Sequence, residues 1–514
     1  MNSKLIICQG INIDKSYTNV LSYNLNAMLN LVESKAMYSQ YNYNFIDYDK
    51  NEIKADVDYA IAIDCNYIAF QNPRHGNKWY FAFIDDVIYR APKQCTIKFT
   101  LDVWSTFHDD WTEKPCFVVR EHVNNDAIGA NTTDEGVSVG NNYVVNAHLR
   151  DSYNRGTQHI IMATNINPLN NAKEYAGAYN GIPSGFKYFC FDNNATGLQS
   201  VMDAIINTQV YEGEILQLFM APAWLSGNQI QIPSSDAPAV QELGVSRITT
   251  LDGYTPKNSK MLTYPFCYIL NSNGQGQSAI LKQELWTVTN GEMKQEMIGA
   301  LTAGCSIRLV PKNYNGDELN FDEGINLGKF PQLSWSTDAY INWLVENGIT
   351  VPTQIRTGNA IVDNYIRPTA IGVVNNLTSF ASGGLKGLAD YLYESMTAEF
   401  RPPQVSGNTN AGDVMWSARE NCFHTYRMTV KREYAKRIDD YFTRCGYKVN
   451  ETKLANLTGR QYWNFVEIGK DEIIGTGKVP SKYMEEINNI CRQGVTIWHS
   501  HENIGNYNLN NAIV

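Results

Sequence analysis

The chain has 514 residues, 43% of them apolar but only 18% charged, and a formal net charge of −10. At roughly 150 residues per domain this is material for about three domains, enough to bury a large core without metal or disulfide support. The acidic balance, with no basic stripe, excludes a tight nucleic-acid footprint, and the apolar fraction excludes a disordered chain.

The N-terminal MNSKLIICQGINID holds an apolar run too short for a signal peptide, and no stretch approaches the roughly 20 apolar residues of a membrane span. The expectation is a soluble chain made in the cytoplasm. Up to about residue 125 the sequence predicts strands at 58–64 (DYAIAID), 67–70, 78–83, 96–104 and 117–123, separated by turns at Asn72-Pro73 and Gly76-Asn77. From 126 to 240 the texture changes to Asn, Gly and Ser with ambiguous short patterns, and PSSDAP at 233–238 reads as an exit linker. Strands return at 261–270, 283–289 and 306–310. A helical piece at 338–346 carries Ile341, Leu344 and Val345.

Residues 355–412 stand apart. Leu377, Ala381, Leu385, Leu388, Leu392 and Met396 recur at three- and four-residue spacing, giving one apolar helical stripe. Gly372, Gly383, Gly384 and Gly387 weaken it, and Arg401-Pro402-Pro403 ends it. Beyond 421, residues 423–431 alternate like a strand. Residues 433–445 form a helix with Tyr434, Ile438, Tyr441 and Phe442 on one face, and Gly446 takes its C-cap. A strand follows at 462–468. Then comes a helix N-capped by Ser481 and ended by Gly494, and a last strand alternating through Val495, Ile497 and His499.

Ten cysteines stand singly, with no CxxC pair. That argues against zinc and for buried free thiols. Gly475-Thr476-Gly477-Lys478 lacks the upstream glycine and the following hydroxyl of a phosphate loop. His499, His501 and Glu502 crowd together, but no further ligand stands at a recognisable spacing, so a polar strand end making hydrogen bonds accounts for them better than a metal does. The acidic pairs Asp85-Asp86, Asp109-Asp110 and Asp439-Asp440 cannot face one another and read as solvated charges. Arg120-Glu121-His122 would place Arg120 and His122 on one strand face. That arrangement suits packing or a subunit interface, because no nucleophile is identifiable nearby.

Several segments, in order, resemble the distal tail tube or tail knob proteins of small short-tailed (picovirus-type podovirus) phages of Gram-positive hosts. They are Phe70-Gln71-Asn72 with GNKWYFAF at 76–83, Asp102-Val103-Trp104, VREHV at 119–123, and Asp134-Glu135-Gly136. Tyr264-Pro265-Phe266-Cys267, GYKVN at 446–450 and GVTIWHSHENIGNY at 494–507 complete the set. None is catalytic. The resemblance implies a mainly β (α+β) fold of β-sandwich or barrel domains with a few helices, assembling into a hexameric ring at the distal end of the virion tail. It also implies contact with other tail proteins, passage of phage DNA through the lumen, and a loop that perturbs the host membrane. By position, that loop corresponds to 355–400.

The expected division is 1–125 as an N-terminal β tube domain, 126–240 as an inserted or peripheral domain and 241–354 as a second β region. Residues 355–412 form the loop or helical segment, and 413–514 an α+β region completing the tube. Ile371, Val373, Val374, Leu377, Phe380, Leu385, Leu388 and Leu392 are the membrane or lumen candidates. Arg367, Lys386, Asp390, Glu394 and Glu399 interrupt them, so the stripe suits an amphipathic helix on a membrane or at a subunit interface rather than a simple span. No cofactor, metal or enzymatic activity is expected. The competing readings are a receptor- or cell-wall-binding tail protein, whose Tyr- and Asn-rich middle region stacks on glycan, and a tail-associated wall hydrolase.

Overall fold

The computed structural model describes residues 3–47, 51–73, 76–151, 158–173, 177–207, 215–274, 276–301, 306–327, 332–334 and 422–514. Strands dominate and helices are few, as the mainly β reading requires. The chain forms two compact units. One comprises Met1–Gly140, Tyr254–Met261 and Arg432–Val514; the other comprises Asn141–Gly253 and Leu262–Lys431.

The first unit holds a seven-stranded antiparallel sheet in the order Ala36–Tyr41, Lys4–Cys8, Tyr67–Gln71, Trp79–Ala91, Gln94–Leu101, Glu52–Ala55, Asn44–Asp47. Lys4–Cys8 and Tyr67–Gln71 read as nearly unbroken apolar runs because both faces are covered. Leu5 and Ile7 join Ile53, Ile68 and Ile97 in one cluster, while Ile6 and Cys8 join Tyr67, Phe81 and Trp498 in another. The long hairpin turns through Pro92 and Lys93, the latter at φ +60°. The strand expected over 96–104 stops at Leu101. There Asp102 caps the short helix Val103–Phe107, its Oδ1 accepting from Ser105 N at 3.2 Å.

Residues 58–64 are not a strand. Asp58 caps the helical turn Tyr59–Ala62, accepting from Ala60 N. The apparent alternation misled because Ile61 and Ile63, which it would have buried together, are 40% and 48% exposed.

A five-stranded sheet covers the same core in the order Asn19–Leu21, Val495–Trp498, Trp463–Ile468, Cys116–Glu121, Tyr447–Lys453. Val495–Trp498 pairs parallel with Asn19–Leu21 and antiparallel with Trp463–Ile468, and all four of its side chains are buried. The expected in–out alternation there is replaced by burial on both faces. The Ser481–Gln493 helix takes Pro480, not Ser481, at its cap position, and no side chain bonds the first turn. The Arg432–Cys445 helix ends as expected at Gly446, whose N–H reaches Phe442 O at 2.8 Å.

The second unit carries three four-stranded sheets. Their orders are Tyr143–Asp151, Phe423–Val430, Cys267–Ser272, Ser278–Leu281; then Lys187–Asp192, Gln158–Thr164, Ile215–Pro222, Gln332–Ser334; and Ala239–Ser246, Glu292–Ala300, Ser306–Lys312, Ile325–Leu327. The last two share a core through Ile161, Tyr188, Met297, Ile307 and Leu327. Two expected strands shorten to helical turns. Within 261–270 only Cys267 onward is strand, following the 3-10 turn Ser259–Leu262. Within 283–289 the chain makes the turn Gln283–Leu285. The reason is the Gln283 side chain, fully buried and bonded to Ile248 N (2.9 Å), Ile248 O (3.3 Å) and Leu262 O (2.6 Å), which ties two loops together where a ladder was expected.

Gly446 generates a test. It sits at φ +64°, and a Cβ there would stand 2.1 Å from the Glu121 carbonyl oxygen. Gly10, at φ +77°, has nothing within 4 Å of its Cβ position. Gly10→Ala should cost about 1 kcal/mol from backbone conformation alone. Gly446→Ala should cost several kcal/mol, because backbone must also move. Denaturant midpoints followed by tryptophan fluorescence measure both, and equal losses would mean that the close approach carries no energy.

Candidate functional site

Arg120-Glu121-His122 was the sequence's best candidate for convergent chemistry. The Cys116–Glu121 strand shifts register between Val118 and Arg120 against both neighbours. This bulge breaks the simple face assignment, and all three side chains are buried. The Arg120 guanidinium bonds Gly446 O at 2.8 Å, pairs with Glu135 and lies 4.8 Å over the Tyr441 ring. Glu135 also pairs with Lys260 and accepts from Lys448 N. Burial pulls the Lys260 ammonium below its ordinary range, with Glu135 opposing. The Glu121 carboxylate takes Asn456 N (2.7 Å) and the Lys453 ammonium (2.5 Å).

His122 donates from Nε2 to Thr443 O (3.1 Å), while its Nδ1 accepts from Phe465 N (2.8 Å). Burial first, and Arg460 second, hold its pKa down at about 3. A neutral imidazole with both nitrogens occupied is a packing element and not a base.

The other sequence candidates disperse in the same way. His499 Nε2 lies 3.0 Å from Asn464 Oδ1, whereas His501, in the turn His501–Asn503, accepts from Asn12 N at 3.1 Å. Among the described residues no three His, Cys, Asp or Glu side chains group to hold a metal. Gly475-Thr476-Gly477 is part of strand Ile474–Gly477, paired with Trp111–Glu113, so its backbone is committed to a ladder. The acidic pairs are not all solvated. Asp109 Oδ2 accepts from Leu25 N, and Asp110 pairs with Lys78. Asp439 is fully buried, taking Tyr254 OH (2.7 Å), Lys257 N (2.8 Å), Asn258 N (3.1 Å) and Asn258 Nδ2 (2.8 Å). Ile371, Val373, Val374, Leu377, Phe380, Leu385, Leu388 and Leu392 lie outside the described residues, as does the 338–346 helical piece.

A site that no sequence pattern flagged lies in the second unit. A cleft of about 580 Å³ opens beside the Lys187–Asp192 and Gln158–Thr164 strands and the Ala195–Asn207 helix. His159 and Asp192 meet there because they are register partners. The His159 ring is fixed from one side. Its Nδ1 lies 2.8 Å from Ser226 Oγ and 3.0 Å from Cys190 Sγ, leaving Nε2 4.0 Å from the Asp192 carboxylate. A nucleophile–base pair suggests itself, but the groups do not support it. Burial pushes the Cys190 thiol up to about 11, so it stays protonated at neutral pH. Ser226 is buried and does not line the cleft. The arrangement can bind a ligand; it is not built to attack one.

Comparison with known proteins gives two family matches. Residues 235–512 match the family described as Bacillus phage phi29, Tail knob protein gp9, C-terminal domain, and residues 1–112 match the Caudoviral major tail protein N-terminus. Tail knob protein gp9 of Bacillus phage phi29 is 24% identical, over 93% of this chain and 92% of its own length. Its counterpart from Bacillus phage PZA is 23% identical over 90% of each. The structure of the bacteriophage C1 tail knob protein, gp12, superposes with a TM-score of 0.66 over the full length of both chains at 13% identity, a likeness of fold.

His122 makes the first unit sensitive to acid. An unfolded imidazole takes its proton below about 6.5, whereas the folded one does so only near pH 3. Between those values the unfolded state binds more protons, so stability falls as pH falls, by at most about 1.4 kcal/mol per pH unit. His122→Gln should remove this slope between pH 6 and 4 (roughly the accessible part of the window). An unchanged slope in a pH series of denaturation midpoints would rule His122 out as its source.

Proposed function

The chain belongs to the phi29-type tail knob protein family, and from that membership we propose that it is a structural subunit at the distal end of a short phage tail, where a ring of copies, most simply a hexamer, conducts the genome. The observation that carries this reading is the pair of matches in one chain: a tail-protein N-terminus at 1–112 and a knob C-terminal domain at 235–512. Relatives similar over nine-tenths of their length are named for a structural part of the tail. Together with the dispersal of the sequence's candidate groups described above, this favours a structural rather than enzymatic role. Its partners are other tail proteins, other copies of itself and, in passing, DNA.

Two physical features support a channel. The seven-stranded sheet ends on Ala36–Tyr41 and Asn44–Asp47, each laddered on one side only among the described residues. On the first, Met37 and Tyr41 are 53% and 62% exposed. Open edges of this kind invite a neighbouring strand or side chain, and an adjacent copy supplies one. A net charge of −10 per chain also suits a conduit. Each phosphate a lumen neutralises adds salt-dependent affinity, which would hold DNA rather than let it slide.

Membrane action is assigned to 355–400, through the apolar sequence stripe that includes Leu385 and Leu388. Among the described residues no helix is long and apolar enough to cross a bilayer, so this action rests on that segment lying on or inserting into lipid.

Size-exclusion chromatography with light scattering should give a ring, six copies in the simplest case, and micrographs should show a central lumen. A strict monomer at every concentration, with no ring in micrographs, would overturn the assembly. Dye-loaded liposomes should leak on addition of the full-length protein, at neutral or low pH, and Leu385→Asp with Leu388→Asp should abolish leakage. Liposomes that stay tight under both conditions would leave 355–400 without a membrane role.

A further inference from the structure

We propose that the cleft bounded by His159, Asp192 and the Ala195–Asn207 helix is a saccharide-binding site, selective for neutral or amine-bearing sugars. The inference goes beyond the channel reading and does not depend on it.

The lining chemistry narrows the ligand. Asp192, Asp203 and Asn228 bring carboxylate and amide acceptors to the cleft, Thr196 and Ser200 bring hydroxyls, and among the described residues neither Lys nor Arg lines it. An acceptor-rich wall without a cation repels phosphates and other anions and suits a ligand dense in O–H or N–H donors. The Asp192 side chain is 74% exposed, so its acceptors face solvent at the cleft mouth. The rim also carries Leu169 and Ile230, 62% and 49% exposed. Single exposed aliphatics are ordinary. Two on the rim of one polar cleft make a surface that is apolar on one side and hydrogen-bonding on the other. A pyranose has that same division, with C–H groups on its face and hydroxyls around its edge.

The site is also held in shape. His159 cannot turn freely, because Ser226 and Cys190 both meet its Nδ1 from beneath. The helix carrying Thr196, Ser200 and Asp203 is capped by Asn194, whose Oδ1 accepts from Gly197 N at 2.7 Å. Fixed polar groups lose little entropy on binding. A volume of about 580 Å³ falls in the range, roughly 300–1,000 Å³, of small-ligand pockets. On a tail tip, a site of this chemistry meets the polysaccharide of a cell surface.

The test uses the full-length chain and ligand-observed NMR. The probes are glucose, N-acetylglucosamine, glucosamine and their short oligomers, with glucose 6-phosphate as the anionic arm. At least one neutral or amino sugar should bind at about 10 mM or below, and the phosphorylated sugar about tenfold more weakly than its parent. Asp192→Asn and Asn228→Ala alter exposed side chains, so thermal melting should be unchanged. Each should weaken binding about tenfold, the loss expected for one hydrogen bond to a charged or well-placed group. The proposal is overturned if no sugar binds the wild type, if both variants bind as the wild type does, or if the phosphorylated sugar is preferred.

Discussion

Val495–Trp498 lies between Asn19–Leu21 on one side and Trp463–Ile468 on the other, and the first unit depends on that placement. The strand joins residues 21 and 498 in a single ladder. Loop closure over so long a separation is less costly than it looks, about 5 kcal/mol, because the cost grows only logarithmically with length. Against it stands an aromatic cluster. Trp463 and Trp498 lie 5.0 Å apart, Tyr507 meets both at 5.4 and 5.2 Å, and Trp104 is buried in the same core. Burial of one such ring is worth on the order of 4 kcal/mol. Each indole also keeps its N–H bonded: Trp498 to Asn19, Trp463 to Thr443 O, Trp104 to Leu21 O. The same residues that fill the core therefore fix the register of the two chain ends.

A second constraint, made of charge, holds 254–261 within that unit although both flanks belong to the other. Asp439 gathers Tyr254, Lys257 and Asn258, Asp126 takes Ser259 N and the Tyr447 hydroxyl, and Glu135 links Lys260 to Arg120. Buried ion pairs contribute little net stability, because desolvation offsets the attraction. Removing one partner is costly, however, and a wrong pairing leaves a bare charge inside. The network accordingly specifies where the segment goes more than how tightly it is held.

Both constraints explain what could be read from the sequence. Strands whose residues alternate or run apolar, such as Tyr67–Gln71, the first five residues of Trp79–Ala91 and Phe423–Val430, were legible, as was the helix Arg432–Cys445 with its glycine stop. What failed was local pattern overruled by one polar side chain. Asp58 turned an alternating stretch into a helical turn, and Gln283 turned a β-branched stretch into a loop tie. The packing of His122 was legible, but its partners were not. Its partner Phe465 is 343 residues away, and no spacing rule reaches that far. The cleft has the same cause, since His159, Asp192, Ser200 and Asn228 come from four separate segments.

The low charge content acquires a structural meaning here. With only 18% of residues charged, amide and hydroxyl side chains must supply much of the surface polarity. Many also work inside or at turns. Asn271 bonds Gln295, Asn464 bonds Asn456 O, Asn488 accepts from Ile473 N, and Asn258 spans Asp439 and Thr443; all four asparagines are buried. Asn also supplies most of the described non-glycine residues at positive φ, including Asn42, Asn77, Asn180 and Asn313, where its short amide tolerates the left-handed conformation. An amide can donate and accept at once without the desolvation cost of a charge. A chain of many short strands needs many turns and loop ties, and a neutral side chain able to satisfy both backbone groups makes them at low cost. The Asn-rich composition therefore follows from the number of connections this fold must fix.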